Sequence, residues 1–280
     1  MPNQEKIPNL GIGIGFRPVH YDEICSCWPP IDWFEVISEN FLGGSEEADR
    51  RLDALLDRYP VVLHGVTLAI GSADPLDFDY LKKLKALARK TQSPWVSDHL
   101  CWGKLAGAHY HDLLPLPQRR DVARYVAERA RIVQDVLEVP FALENVSSYS
   151  GFREDEMPEW EFYRAVVEQA DIRMMLDVNN IYVSSRNHGF APREYYSQLP
   201  LERVIQIHLA GHTDYGAYCL DTHNNRVCDE VWKIYAEVYP KTPNASTLLE
   251  WDSHFLSFED TWKEALKAKE FQKQALEAAR

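Results

Sequence analysis

Residues 141–178 read FALENVSSYSGFREDEMPEWEFYRAVVEQADIRMMLDV. An apolar run, Phe141–Val146, leads through a loop to Pro158–Ala170, where Phe162, Val166 and Ala170 recur at helical spacing. A second apolar run follows at Ile172–Val178. The unit predicts strand, helix, strand. Neither strand alternates cleanly between apolar and polar residues, as expected where both faces of a parallel sheet are covered. Each strand also carries one carboxylate near its C-terminal end, Glu144 in the first and Asp177 in the second.

The same unit recurs on both sides. Towards the N-terminus, strands are predicted at Gly11–Arg17, Trp33–Phe41, Val61–Leu68 and Trp95–Trp102. Helices are predicted at Glu46–Tyr59, around Phe78, Leu81, Leu84 and Leu87, and from Pro117 to Leu137 with a stripe of Val122, Val126, Val133 and Leu137. Towards the C-terminus come a short helix at Pro192–Leu199, a strand at Val204–Leu209, a helix at Asp229–Val238 and a strand at Ser246–Trp251. Ser257 then caps a last helix whose first turn is acidic, with Glu259 and Asp260 where the helix dipole favours them. No linker or internal repeat divides the chain, so one domain over residues 1–280 is expected. Eight strands, nearly all followed by helices, predict an α/β fold: a single (β/α)₈ TIM barrel. A doubly wound sheet would usually carry a G-x-G-x-x-G loop after its first strand, whereas the glycines of Gly11-Ile-Gly-Ile-Gly15 lie within the strand.

Composition narrows the function. The 280 residues are 45% apolar and 26% charged, a globular profile. Lysine plus arginine is 30 against 43 aspartates and glutamates, a net charge of −13. A field of that sign repels phosphate backbones, which argues against nucleic acid, and favours cations. No stretch approaches the ~18 consecutive apolar residues of a membrane span, and the N-terminus has no targeting pattern. The five cysteines form no Cys-x-x-Cys pair, so a reduced, cytoplasmic protein without a thiolate zinc site is expected.

The ionisable residues embedded in the strands carry the chemistry. His64, His99, Glu144, Asp177, His208 and Glu250 come from the third to eighth strands, each near the C-terminal half. In a barrel those ends converge on one mouth, where active sites sit. A lone buried histidine is usually a satisfied core residue, but a buried carboxylate needs a partner. These strand ends contain almost no Arg or Lys after Arg17. Neutral imidazoles beside carboxylates form a ligand set for a divalent metal, and iron, manganese or zinc bound by nitrogen and oxygen fits it. Further candidates follow the strands: Asn179 and Asn180, His212, and Asp221-Thr-His223. That is more than one ion can use, so two or three ions are expected. Asp252 shares parity with Glu250, so it is expected to reach the same pocket or to orient a ligating histidine. Asp98 is expected on the opposite face from His99. His20, His109, His111, His188 and His254 are expected to face solvent. Trp102, Tyr110, Trp160, Tyr182 and Tyr218 are read as rim packing or as a lining for an extended peptide.

Seven segments together resemble a known family: Trp33-Phe-Glu-Val-Ile-Ser-Glu-Asn40, Val96-Ser-Asp-His-Leu100, Leu143-Glu-Asn-Val146, Leu176-Asp-Val-Asn-Asn180, Ile207-His-Leu-Ala-Gly-His212, Asp221-Thr-His223 and Leu249-Glu-Trp-Asp252. They are similar to the domain-of-unknown-function 692 family, also called uncharacterised protein family UPF 0276 or the multinuclear non-haem iron-dependent oxidative enzymes. The resemblance runs from about Gly11 to Trp262. It implies a barrel like that of xylose isomerase with two or three iron ions (Fe²⁺/Fe³⁺), for which zinc, manganese or magnesium can substitute. It also implies oxidation of cysteine in a ribosomally made precursor peptide. The methanobactin-biosynthesis member works with a separate peptide-presenting partner protein, so such a partner is a further expectation. Carried over by position, His64, His99 and Glu144 resemble one ion's ligands, and Glu144 bridges to a second ion held with Asp177, His208 and Glu250. Asn180, Asp221 and His223 resemble a third site, with His212 an addition, and Asp252 resembles the general base.

Two other classes compete. One is a redox-silent metalloenzyme on the same barrel, a sugar isomerase or a phosphodiesterase. The isomerase needs a lysine in the mouth, absent from these strands, and a nuclease needs a basic face, which the charge opposes. The other is a non-catalytic metal- or peptide-binding protein with few open coordination positions.

Overall fold

The computed structural model describes residues 7–278. Eight parallel strands close a barrel: β1 (Ile12–Gly15), β2 (Trp33–Ile37), β3 (Val61–His64), β4 (Val96–His99), β5 (Phe141–Glu144), β6 (Arg173–Asp177), β7 (Val204–Leu209) and β8 (Ser246–Leu249). Each strand pairs with its neighbours in the chain, and β8 returns to pair with β1. All eight predicted strands are present, most of them shorter than the apolar runs suggested. Val61–Leu68, for instance, stops being a strand at His64, where Gly65 opens the loop.

Side-chain parity divides the barrel interior into layers. The lower layer is apolar, with Trp33, Val62, Trp95, Ala142, Met175, Ile205 and Leu248 packed as one buried cluster. The rings of Trp33 and Trp95 meet edge to face, 6.1 Å apart. Gly13 of β1 faces this layer, and a Cβ there would lie 2.5 Å from the Trp33 ring, so the indole occupies the space a side chain would need. Two residues further along each strand the inward positions become polar: Glu35, His64, Ser97, Glu144 and Asp177, all buried. Pairing slips between β6 and β7 where Met174 opposes Val204 and Met175 opposes Gln206. The slip brings Gln206 and His208 inward beside the polar residues, above Ile205 of the apolar layer.

The helices pack outside this barrel, and most agree with the predicted ones: Glu46–Leu56, Phe78–Thr91, Arg120–Leu137, Glu159–Ala170, Pro192–Tyr196, Asp229–Val238 and Phe258–Ala278. The sequence reading missed Tyr21–Cys27 and Val178–His188. It also missed two hairpins beyond the mouth, Trp102–Leu105 with Ala108–Leu114 and Thr213–Asp214 with Cys219–Leu220. No helix among the described residues is long and apolar enough to cross a membrane.

Candidate metal centre

His64 ends β3, His99 ends β4 and Glu144 ends β5, so parity and strand length bring their side chains to the mouth. His64 Nε2 and His99 Nε2 lie 3.3 Å apart, and each lies 3.3 Å from Glu144 Oε2. The far nitrogens are fixed: His64 Nδ1 lies 2.9 Å from Ser97 Oγ, and His99 Nδ1 lies 3.1 Å from the carbonyl of Gly65. Both Nε2 atoms therefore turn towards a common point. Ligands about 2.0–2.2 Å from one ion stand roughly 3.0–3.4 Å from each other, which is this spacing.

The other carboxylate oxygen of Glu144 faces a second group. Glu144 Oε1 lies 3.2 Å from His208 Nδ1, which is in turn 3.3 Å from Glu250 Oε2. Asp177 completes it, and one potential ligand atom from each of Glu144, Asp177, His208 and Glu250 falls within 4.8 Å of the others. Asp177 ends β6 and caps the helix Val178–His188, its Oδ1 accepting from the Asn180 amide at 2.6 Å. Asn145 braces it from just past β5, donating to the Asp177 carbonyl and accepting from its amide.

A third group lies nearer the surface. His223 Nδ1 stands 2.9 Å from Asp252 Oδ2 and 3.3 Å from Glu250 Oε2, while its Nε2 stands 2.7 Å from Asp221 Oδ1. His223 adopts φ +45°, a conformation rare for a side chain of this size and of the kind found at functional sites. Its carbonyl accepts from the Asp252 amide at 2.7 Å. Asn180 donates to the Asn145 carbonyl through Nδ2. His212 enters none of these three groups: its Nδ1 lies 2.8 Å from Asn179 Oδ1 and its ring packs on Tyr182.

The donor chemistry fits bound cations. Glu144 Oε2, Asp177 Oδ2 and Asn180 Oδ1 are buried without a hydrogen-bond partner among the described residues, and His208 Nδ1 and His223 Nε2 have only carboxylate oxygens near them. Such groups are costly unless something else satisfies them. Burial, with His99 and His208 beside it, holds His64 well below its ordinary pKa, in the neutral form that ligates metal. Burial, with Glu144 and Asp221 nearby, pushes the Asp177 carboxyl well up, a measure of uncompensated negative charge. Against the cost of burial, Glu35 and Glu144 raise His208, and Asp221 and Glu250 raise His223. Glu250 is held well below the carboxylate range: burial works the other way, but His223, His208 and Arg17 prevail.

Two expectations need correction. The mouth does contain a cation. Arg17, just past β1, is ion-paired with Asp252 and lies 3.2 Å from Glu250 Oε1. Burial opposes its charge, yet Asp252 and Glu250 raise its pKa. Among the described residues no Arg or Lys pairs with Glu144 or Asp177, so the argument from uncompensated charge holds for those two and not for Glu250. His20 does not face solvent either. It is 3% exposed, wedged edge-on against Phe255 and Phe258 between the loops that follow β1 and β8. The sequence reading also passed over Glu35, which is 2% exposed with Oε2 3.3 Å from His208 Nε2. Its signal was parity: Glu35 stands two residues after the inward Trp33, and Arg17 two after Gly15. Asp98 lies behind the mouth as expected, accepting from the amides of His99 and Leu68. Of the rim aromatics, Tyr110 and Tyr218 are exposed at the hairpins, whereas Trp160 packs outside the barrel against Phe190 and Tyr195.

A closed parallel barrel with imidazoles and carboxylates gathered at its C-terminal mouth defines a xylose isomerase-like TIM-barrel protein with a metal-capable centre. The chain belongs to the family described as RiPP precursor modification enzyme MbnB/TglH/ChrH, which matches residues 11–273. A UPF0276 protein of Anaeromyxobacter sp. (strain Fw109-5) is 48% identical over 269 residues, covering 96% of this chain and 95% of the relative. A UPF0276 protein of Caulobacter vibrioides is 42% identical, covering 90% of this chain and 91% of its own. Among solved structures, D-psicose 3-epimerase with D-tagatose from Clostridium cellulolyticum H10 superposes with a TM-score of 0.61 at 14% identity, over 94% of this chain and 98% of that one. A xylose isomerase-like TIM barrel protein from Mycobacterium smegmatis in complex with magnesium superposes with a TM-score of 0.54 at 13% identity, over 84% of this chain and 81% of that one. At such identities the likeness concerns the fold alone.

Proposed function

We propose that this chain is a multinuclear iron-dependent oxidase that uses dioxygen to modify cysteine in a ribosomally made precursor peptide. The observation that carries the reading is Glu144: its two oxygens face two different groups of ligand atoms, so one buried carboxylate serves two cation positions. Membership of a family of precursor-peptide modification enzymes supplies the substrate class. Iron bound there supplies a redox-active Lewis acid able to take a thiolate and dioxygen.

The protein's own part is arrangement. His64, His99 and Glu144 hold one ion, and Glu144, Asp177, His208 and Glu250 hold the next. Asp221 and His223, with Asn180, offer a third position, and His212 stands behind them through Asn179. Asp252 is the base that takes a proton from the substrate backbone or Cβ. Its side chain is 39% exposed, against 10% for Glu250, so a substrate can reach it. Arg17 holds one of its oxygens and fixes its direction. The substrate is a cysteine on an extended peptide, delivered by a separate peptide-presenting protein.

The test is anaerobic iron loading followed by elemental analysis, then dioxygen exposure with a short cysteine-containing peptide encoded beside the gene. At least two ions per chain and a dioxygen-dependent change in peptide mass at cysteine are expected. A stoichiometry fixed at one or zero defeats the multinuclear reading, and an unaltered peptide with a full iron complement defeats the oxidase reading.

A further inference from the structure

The turn that follows β2 carries a carboxylate that the centre above leaves unused. Glu39 lies in Ser38–Phe41 and reaches across to the loop that follows β3. Its Oε1 accepts from the Val66 amide at 3.0 Å, from the Thr67 amide at 2.8 Å, and from the Thr67 and Tyr80 hydroxyls, both at 2.8 Å. Among the described residues Glu39 has no Lys or Arg partner. The Val66 N–H belongs to the same planar peptide unit as the Gly65 carbonyl. That carbonyl lies 3.1 Å from His99 Nδ1, so one rigid group stands between the Glu39 carboxylate and the His99 ring. A carbonyl oxygen can only accept, so Nδ1 carries the proton and Nε2 is the bare nitrogen. Nε2 is the atom that faces His64 Nε2 and Glu144 Oε2. His64 Nε2 is bare for a parallel reason: Ser97 Oγ donates to the Leu63 carbonyl at 3.4 Å and so accepts from His64 Nδ1. The rest of the loop is held as closely, with Asp98 Oδ2 accepting from the Leu68 amide. A Cβ on Gly65 would lie 2.3 Å from Asp98 Oδ2 and 3.1 Å from Tyr80 Oη, so the loop closes this tightly because residue 65 has no side chain.

We propose that Glu39 is a positioning residue for the metal centre: through the Gly65–Val66 peptide group it fixes the His99 ring and keeps Nε2 bare towards the ion shared with His64 and Glu144. A ligating histidine usually hands its other N–H to a carboxylate or a carbonyl, which fixes the tautomer and strengthens the ligand. Here the two acceptors act in series. Negative charge at the N–H end of the peptide group polarises it and makes its carbonyl the stronger acceptor. This inference rests on the metal-binding reading above and not on the oxidation chemistry.

Cobalt(II) titration of the metal-free full chain under anaerobic conditions tests it, followed by absorbance and by competition with a chelator. Wild type should take up at least two ions, and the d–d band that disappears in His99→Ala marks the ion held by that ring. Glu39→Ala should weaken that ion by about 10–100-fold and shift its band, with the other ion changed less. Glu39→Gln keeps an acceptor oxygen without the charge. It should recover most of the affinity and leave a smaller shift in the same band. Wild-type affinity and spectrum in Glu39→Ala would overturn the inference. Equal weakening of both ions with a lowered melting temperature would also overturn it, as the mark of a merely structural role. If Glu39→Ala does not fold, Glu39→Gln decides, and a band identical to wild type there overturns the inference. A wild-type protein that binds no cobalt would overturn the metal-binding reading itself, and this inference with it.

Discussion

Two residues along a strand separate Trp33 from Glu35, Val62 from His64, Ala142 from Glu144, Met175 from Asp177 and Leu248 from Glu250. The first member of each pair belongs to the apolar floor and the second to the ring of ionisable groups or the mouth just above it. Backbone, pairing and direction are the same in both layers. The floor gains stability from every atom it buries. The ring gathers carboxylates and imidazoles that desolvation penalises, a cost that the proposed cations would offset. A barrel of this kind therefore holds its fold and its chemistry in adjacent layers.

Glu144→Ala probes the contrast hardest. It deletes the carboxylate shared by two cation positions, and metal content should fall from at least two ions to one or none, with turnover lost. The metal-free variant should unfold no more easily than metal-free wild type, because a buried anion beside Asp177 has gone. Elemental analysis and a thermal melt check both halves. A full metal complement would refute the sharing, and a large loss of metal-free stability would refute the division into layers.

Asp252→Asn sits at the upper edge of the ring. As a base that does not hold metal, Asp252 should leave iron content near wild type while turnover falls by about 10²–10⁴-fold. Its contact with His223 gives the competing outcome: if iron is lost with activity, Asp252 orients a ligand instead.

Trp33→Ala strikes the floor. A cavity replaces a fully buried indole, and unfolding free energy should drop by about 3–5 kcal/mol. Below the lowered melting temperature, metal stoichiometry should match wild type. Denaturant unfolding and elemental analysis on the same sample decide whether the floor can be damaged without emptying the ring.

The smallest effect lies outside both layers. Glu159 starts the helix Glu159–Ala170 and accepts from the Tyr195 hydroxyl at 2.8 Å. Burial raises its pKa from 4.5 to about 7, although Tyr195 pulls the other way. Between those values the folded chain keeps a proton that the unfolded chain releases, so stability falls as pH rises through that window. Glu159→Gln should remove that decline. It should match wild type near pH 4 and exceed it above pH 7 by roughly 1–2 kcal/mol. Paired denaturation curves at the two pH values measure the difference, and equal offsets at both would rule it out.

The two layers also explain what could be read in advance. The apolar runs and the carboxylate or histidine near each strand end were visible because parallel strands keep their inward residues at every second position. Helix Val178–His188 was not visible. Val178, Asn179, Asn180, Ile181, Val183, Ser184 and Ser185 are all buried, so contacts on several sides replace the one-sided apolar stripe that marks a surface helix. Strand Ala108–Leu114 is largely exposed and offers no apolar alternation at all. Glu35 and Arg17 carried the right parity but stood in the first two strands, where no histidine drew attention to the same position. His20 was assigned to solvent because nothing local reveals that Phe255 and Phe258, over 230 residues later, close over it.

Arg17 meets Asp252 across 235 residues of chain, at the seam where β8 docks beside β1. Glu250, which serves two of the three groups, arrives with the same strand. During synthesis the ligands supplied by β3 to β7 emerge first, yet the second cation position stays incomplete until the last strand is in place. If the proposed ions bind, their uptake waits on the last strand: a barrel that ends before β8 lacks Glu250, which belongs to two of the three groups.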